Sequence, residues 1–118
     1  MYSVRVEGDF SSAHNLREYR GKCEELHGHN WKVEVKVCKE KLDPCGMVMD
    51  FTELKTCLNK VLEKLDHKHL NKIQYFKKVN PTSENIAKYI FDNLLADLAG
   101  ISSVTVWESR NSRATYAR

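Results

Sequence analysis

The hydrophobic patterning predicts an α+β fold of order ββααββ, an antiparallel four-stranded sheet with two helices on one face. Three observations predict it. Residues 31–37 alternate strictly between apolar and polar side chains, the period of a half-buried strand. Residues 51–65 and 83–98 place apolar side chains three and four apart, the period of a helix. Two further short alternating runs follow Gly100.

Taken in order, "YSVRVEGDFSSAH" (residues 2–14) sets Tyr2, Val4, Val6, Phe10 and His14 on one parity. This reads as a strand with one core face, and Gly8 is expected to mark a bulge. Residues 16–26, "LREYRGKCEEL", form a polar loop. In the second strand His27, His29, Trp31, Val33, Val35 and Val37 share one face, while Lys32, Glu34 and Lys36 point away. Two imidazoles thus continue the apolar face at its entrance.

After the turn "KLDPCG", Asp50 and Glu53 have capping-box spacing. Phe51, Leu54, Leu58, Val61, Leu62 and Leu65 then form a helical stripe, and "LDHKHLN" is expected to close that helix. The second helix is expected from about Ser83 to Leu98. "NPTSEN" supplies its start, Ile86, Ile90, Leu94 and Leu98 its stripe, and Gly100 its stop. The last two strands are "SSVTVWES" and "RATYAR", joined by a turn around Asn111. Such a sheet has two open edges, which promote pairing with another copy unless covered. Oligomerisation follows as an expectation.

With 118 residues, the chain is expected to form one domain over residues 1–118. Hydrophobic residues make up 42% and charged residues 30%, as in ordinary soluble proteins. No signal peptide or membrane-length apolar run stands out, so a cytoplasmic protein with no membrane partner is expected. The net charge of +3 is spread without the basic stripe or aromatic platform that nucleic acid requires. Four cysteines without a CxxC pair argue for free thiols.

The chemistry concentrates around the histidines. His27 and His29, two apart on one strand, aim both rings to one side and supply two of the three ligands of a zinc ion. His14 ends the neighbouring strand on its apolar parity and is the candidate third ligand. Three protein ligands leave one coordination position open, as catalytic zinc requires. Cys23 lies in the loop leading to these residues, near Arg20 and Lys22, and cations favour a reactive thiolate. By position alone, an inert loop thiol fits equally well. Cys38, Cys45 and Cys57 read as inert, with Cys57 packing beside the helix stripe.

Asp66 beside His67 forms a potential relay, although spacing alone favours a basic helix end against its negative dipole. His69 carries no functional reading. Glu108 shares a face with Val104 and Val106, so its carboxylate must be paired or pointed into solvent. A ligand with two adjacent N–H groups would pair with it in a bidentate manner.

Together, "FSSAH", "CEELHGHNW", "MVMDFTELK", "LDHKHLN", "NPTSENIAKYI" and "VTVWES" resemble the 6-pyruvoyl-tetrahydropterin synthase / 6-carboxytetrahydropterin synthase family over nearly the whole chain. Among its branches, the chain looks most like the 6-carboxy-5,6,7,8-tetrahydropterin synthases of queuosine biosynthesis. The resemblance implies a tunnelling (T-fold) barrel, a homo-hexamer of two stacked trimers with active sites between subunits. It implies His14, His27 and His29 as zinc ligands, Cys23, Asp66 and His67 as catalytic residues, and Glu108, Thr82 and Ser83 as substrate-binding residues. The implied substrate is 7,8-dihydroneopterin triphosphate, with Arg17, Arg20 and Lys22 as candidate triphosphate contacts. Two alternatives stay open: the sister 6-pyruvoyl-tetrahydropterin synthase activity, and a non-catalytic module with a structural zinc whose fourth ligand is Cys23.

Overall fold

Strand β1 (Tyr2–His14) and strand β2 (His27–Lys39) run antiparallel along their whole length, from Tyr2 opposite Lys39 to His14 opposite His27. A computed structural model describes residues 1–21 and 24–118 of the chain. Helices α1 (Phe51–Leu62) and α2 (Ser83–Leu94) connect β2 to β3 (Ile101–Ser109), which turns back into β4 (Ser112–Ala117). The sheet order is β1-β2-β3-β4, with every neighbour antiparallel. The expected ββααββ architecture is therefore the observed one.

One face of the sheet is apolar by alternation. Val6 and Phe10 of β1, Trp31, Val33, Val35 and Val37 of β2, and Val104 and Val106 of β3 are buried beneath both helices. Leu54, Leu58, Val61 and Leu62 of α1 and Ile86, Ile90, Phe91 and Leu94 of α2 close the core from above. Helix α1 covers β1, whereas α2 covers β3 and β4. Phe10 and Trp31, opposite one another in register, stack at 5.8 Å between centroids. Asp50 caps α1 by accepting from the Thr52 amide at 2.8 Å, so the cap bond lands one residue before Glu53. Thr82 caps α2 by accepting from the Asn85 amide at 3.1 Å.

Three expectations need correction. The register of β1 is unbroken at Gly8, so no bulge lies there. A Cβ at Gly8 would fall 2.9 Å from Leu62 Cδ1; the glycine lets α1 settle close onto the strand. The register shifts lie between Lys36 and Val37 and between Trp107 and Ser109. Helix α1 ends at Leu62 rather than running into "LDHKHLN", and α2 ends at Leu94 with only a further turn to Leu98. Residues 70–72 and 74–77 form two short 3₁₀ turns, too brief to leave a periodic trace in the sequence. Among the described residues, no helix is long and apolar enough to cross a membrane.

Candidate metal centre and active site

The same alternation that buries Trp31 carries two more residues of β2, His29 and His27, onto the core face. Their cross-strand partners in β1 are Ser12 and His14. His14 is only 2% exposed, and Trp31 presents itself edge-to-face to both His14 and His29, at 4.8 Å and 5.2 Å. The three imidazoles therefore sit where the apolar core ends, on a floor of indole.

Backbone carbonyls set their tautomers. His14 Nδ1 lies 2.7 Å from the Pro81 carbonyl and His27 Nδ1 lies 2.9 Å from the Glu25 carbonyl. A carbonyl can only accept, so Nδ1 of each neutral ring carries the proton and Nε2 presents a lone pair. Those two Nε2 atoms face each other at 3.1 Å. Two lone pairs this close repel unless a cation lies between them. His29 Nε2 is buried and makes no hydrogen bond. Glu108 Oε1 stands 3.0 Å from it, at ion-pair distance but without hydrogen-bond alignment. Burial holds the His29 imidazole below its ordinary pKa, which the Glu108 charge opposes only in part and the neighbouring His14 and His27 reinforce. A neutral ring with an unsatisfied buried nitrogen is what a metal ligand requires.

His14, His27, His29 and Glu108 each contribute one donor atom to a group lying within 4.8 Å of one another. Three nitrogens and a carboxylate oxygen suit zinc. The arrangement can therefore hold a divalent ion as a Lewis acid.

Asp66 and His67 form a second unit. The Asp66 carboxylate accepts from the Ser11 amide at 2.8 Å through Oδ1, and its Oδ2 lies 2.9 Å from His67 Nδ1. The Ser11 amide, and after it His67, hold the Asp66 carboxyl below its ordinary value despite an opposing burial effect. His67 sits past the helix in the left-handed region (φ 54°), with its side chain 82% exposed. Turns continue from α1 through Asp66, whose amide donates to the Leu62 carbonyl at 2.9 Å, so the pair lies just past the end of that helix. Among the described residues, no hydrogen bond or ion pair joins it to the histidine cluster.

The remaining site expectations fall unevenly. Cys23 and Lys22 lie outside the described residues. Thr82 uses its hydroxyl as the α2 cap, and Ser83 begins that helix as a buried residue. Arg17 donates through Nη2 to the Phe76 carbonyl and, at 2.8 Å, to the Val79 carbonyl, so it braces residues 76–80 rather than offering a free cation. Arg20 is exposed, 5.2 Å from the Tyr19 ring. Three contributors escaped sequence reasoning. The Pro81 and Glu25 carbonyls orient His14 and His27, and backbone groups leave no residue-type signal. Ser12 ties the Asp66–His67 segment to β1: its hydroxyl donates to the Leu65 carbonyl and accepts from the Lys68 amide at 3.1 Å. Its core-side parity two residues before His14 was the available hint.

A family model described as 6-pyruvoyl tetrahydropterin synthase matches residues 3–118. The chain belongs to that family. It is 45% identical over 108 residues to the 6-pyruvoyl tetrahydrobiopterin synthase of Poecilia reticulata, covering 79% of this chain and 72% of the relative. It is 39% identical over 122 residues to the 6-carboxy-5,6,7,8-tetrahydropterin synthase of Synechocystis sp., covering 98% and 93%. The solved structure of Caenorhabditis elegans 6-pyruvoyl tetrahydropterin synthase superimposes with a TM-score of 0.86 at 29% identity, covering 99% of this chain and 95% of that one. The sheet and helices are thus the T-fold subunit of the 6-pyruvoyl tetrahydropterin synthase family, whose members are enzymes acting on pterins.

Proposed function

We propose that this protein is a zinc-dependent lyase that converts 7,8-dihydroneopterin triphosphate to 6-carboxy-5,6,7,8-tetrahydropterin, releasing acetaldehyde and triphosphate. Its place is the cytoplasmic biosynthesis of queuosine and related 7-deazaguanines. The observation that carries the reading is the pair of facing Nε2 lone pairs on His14 and His27, beside the unsatisfied Nε2 of His29, in a chain of this family. The near full-length correspondence to the Synechocystis carboxypterin enzyme supports the carboxy product.

His14, His27 and His29 hold the zinc. When bound, zinc supplies Lewis acidity toward the hydroxyl groups of the substrate side chain. The Cys23 thiolate takes the proton from the side-chain carbon next to the pterin ring. Asp66 holds the Nδ1–H of His67, which leaves Nε2 as the atom that accepts and returns protons. Glu108 accepts two adjacent N–H groups of the pterin and fixes the reacting carbon in place. Thr82 and Ser83 line the same pocket. The active assembly is a homo-hexamer of two trimers joined through strand edges.

The test is to incubate zinc-loaded protein with 7,8-dihydroneopterin triphosphate and identify products by mass. The carboxypterin and acetaldehyde are expected, with both lost in Cys23→Ala and His27→Ala. The 45% identity to a pyruvoyl enzyme supports a second reading, triphosphate elimination to 6-pyruvoyl-tetrahydropterin. A pyruvoyl product would decide for it. No turnover with zinc still bound through Cys23 would make the site a structural one.

A further inference from the structure

We propose that Glu108 is the fourth ligand of the resting metal, closing the coordination position that substrate hydroxyls must take, and that this carboxylate leaves the metal when substrate binds. The proposal rests on the reading of His14, His27 and His29 as metal ligands and assigns their fourth neighbour a second task. Glu108 Oε1 lies 3.0 Å from His29 Nε2 and 3.5 Å from His14 Nε2, while His14 and His27 present Nε2 atoms 3.1 Å apart. Ligand bonds of about 2.0–2.1 Å in tetrahedral zinc sites place neighbouring donors about 3.3 Å apart. The carboxylate oxygen therefore stands at a ligand's distance from two imidazoles at once. It does so without hydrogen-bonding His29, so that bond does not account for its place.

The four donors are held unequally. His14 and His27 are fixed through Nδ1 by the Pro81 and Glu25 carbonyls, and His14 is buried. Among the described residues, Glu108 accepts no hydrogen bond, and its side chain is 36% exposed. It also lies at the register shift between Trp107 and Ser109, where a strand commonly re-aims one side chain. His29 likewise makes no hydrogen bond among the described residues, but at 25% exposure against 36% it is the more buried of the two, so the carboxylate is the more open of the two untethered donors. Once displaced by the substrate's side-chain oxygens, it becomes available to the paired N–H groups of the pterin ring. One residue would then couple the opening of the metal to recognition of the correct ring.

The experiment uses the metal alone. Zinc affinity is measured by competition with a chromophoric chelator, and coordination is read from the visible bands of the cobalt(II)-loaded protein. Wild type, Glu108→Gln, Glu108→Asp, Cys23→Ala and His27→Ala are compared, each checked for folding by circular dichroism. Loss of an outer-shell partner alone typically weakens metal binding about 10–100-fold, so Glu108→Gln is expected to lose at least about tenfold. Its cobalt bands should weaken as water enters, with Glu108→Asp intermediate. Unchanged affinity and unchanged cobalt bands in Glu108→Gln would overturn the proposal and leave Glu108 a substrate anchor only. A sulfur-to-cobalt band that disappears in Cys23→Ala would overturn it in favour of Cys23. Undiminished metal binding in His27→Ala would remove the histidine site itself, and this inference with it.

Discussion

Asp66 shows how one carboxylate couples local structure to acid–base chemistry. Its Oδ1 accepts from the Ser11 amide, and its Oδ2 meets His67, so both oxygens are engaged in the ionised form. The folded carboxyl therefore titrates below its ordinary value of 3.8, with the Ser11 amide the largest cause. A depressed carboxyl pKa favours the fold wherever the unfolded group is already ionised, and the benefit fades as the folded group takes up its proton. The stability difference between wild type and Asp66→Asn should thus be constant at neutral pH and shrink as pH falls through 3.8 and below. Urea titrations of both proteins across that range check this. A difference independent of pH would mean that the charge of Asp66 is not what the Ser11 amide and His67 hold. Ser12, next along β1, anchors the same segment through Leu65 and Lys68, so the pair is attached to the strand that ends in His14.

At the scale of elements, the connection from α2 into β3 turns on Gly100. Its φ is +91°, and a Cβ there would lie 2.8 Å from the Cys38 carbonyl oxygen. The Gly100 carbonyl in turn accepts from the Cys38 amide at 2.9 Å, closing β3 onto the end of β2. Gly100→Ala is expected to cost about 1–3 kcal/mol, since it combines a strained backbone with a contact to an immovable carbonyl. The urea midpoint should fall with little change in slope; a loss of under about 0.5 kcal/mol, the range of a neutral surface change, would refute this account. The alternation of β2 and the stripes of both helices were legible in the sequence, because periodic burial writes itself into residue type. Gly100, read as the stop of α2, instead lies beyond its end at Leu94 and serves the turn into β3. Gly8 was misread because a close helix approach and a bulge select the same residue. The end of α1 was misread because Leu65 continues the stripe's spacing while lying in a turn beyond the helix. The three histidines were legible from parity alone, and Glu108 was legible as a carboxylate on an apolar face. Its distance to His29 was not, since that depends on how β3 lies beside β2. Nor were the Pro81 and Glu25 carbonyls, which act through groups every residue shares.

Across the whole molecule, the four donors that could hold a metal and the proposed proton-transfer pair divide differently between one chain and an assembly. His14, His27, His29 and Glu108 come from β1, β2 and β3 of a single chain, so the four donors come together without a second copy. His67 is 82% exposed and, among the described residues, has no bond to that cluster. The sheet ends in β1 on one side and β4 on the other, and residues 66–69 cover only the end of the β1 edge, through the Ala13–His69 bridge. The rest of those edges can pair with other copies, as expected of unpaired strands. Zinc affinity per chain should therefore stay constant as the protein is diluted, while turnover per chain falls once the assembly dissociates. Sedimentation velocity run alongside metal competition and turnover at each concentration checks both halves. Full turnover from a species sedimenting as a monomer would show that one chain completes the site. Zinc affinity falling together with turnover would show instead that assembly shapes the metal centre.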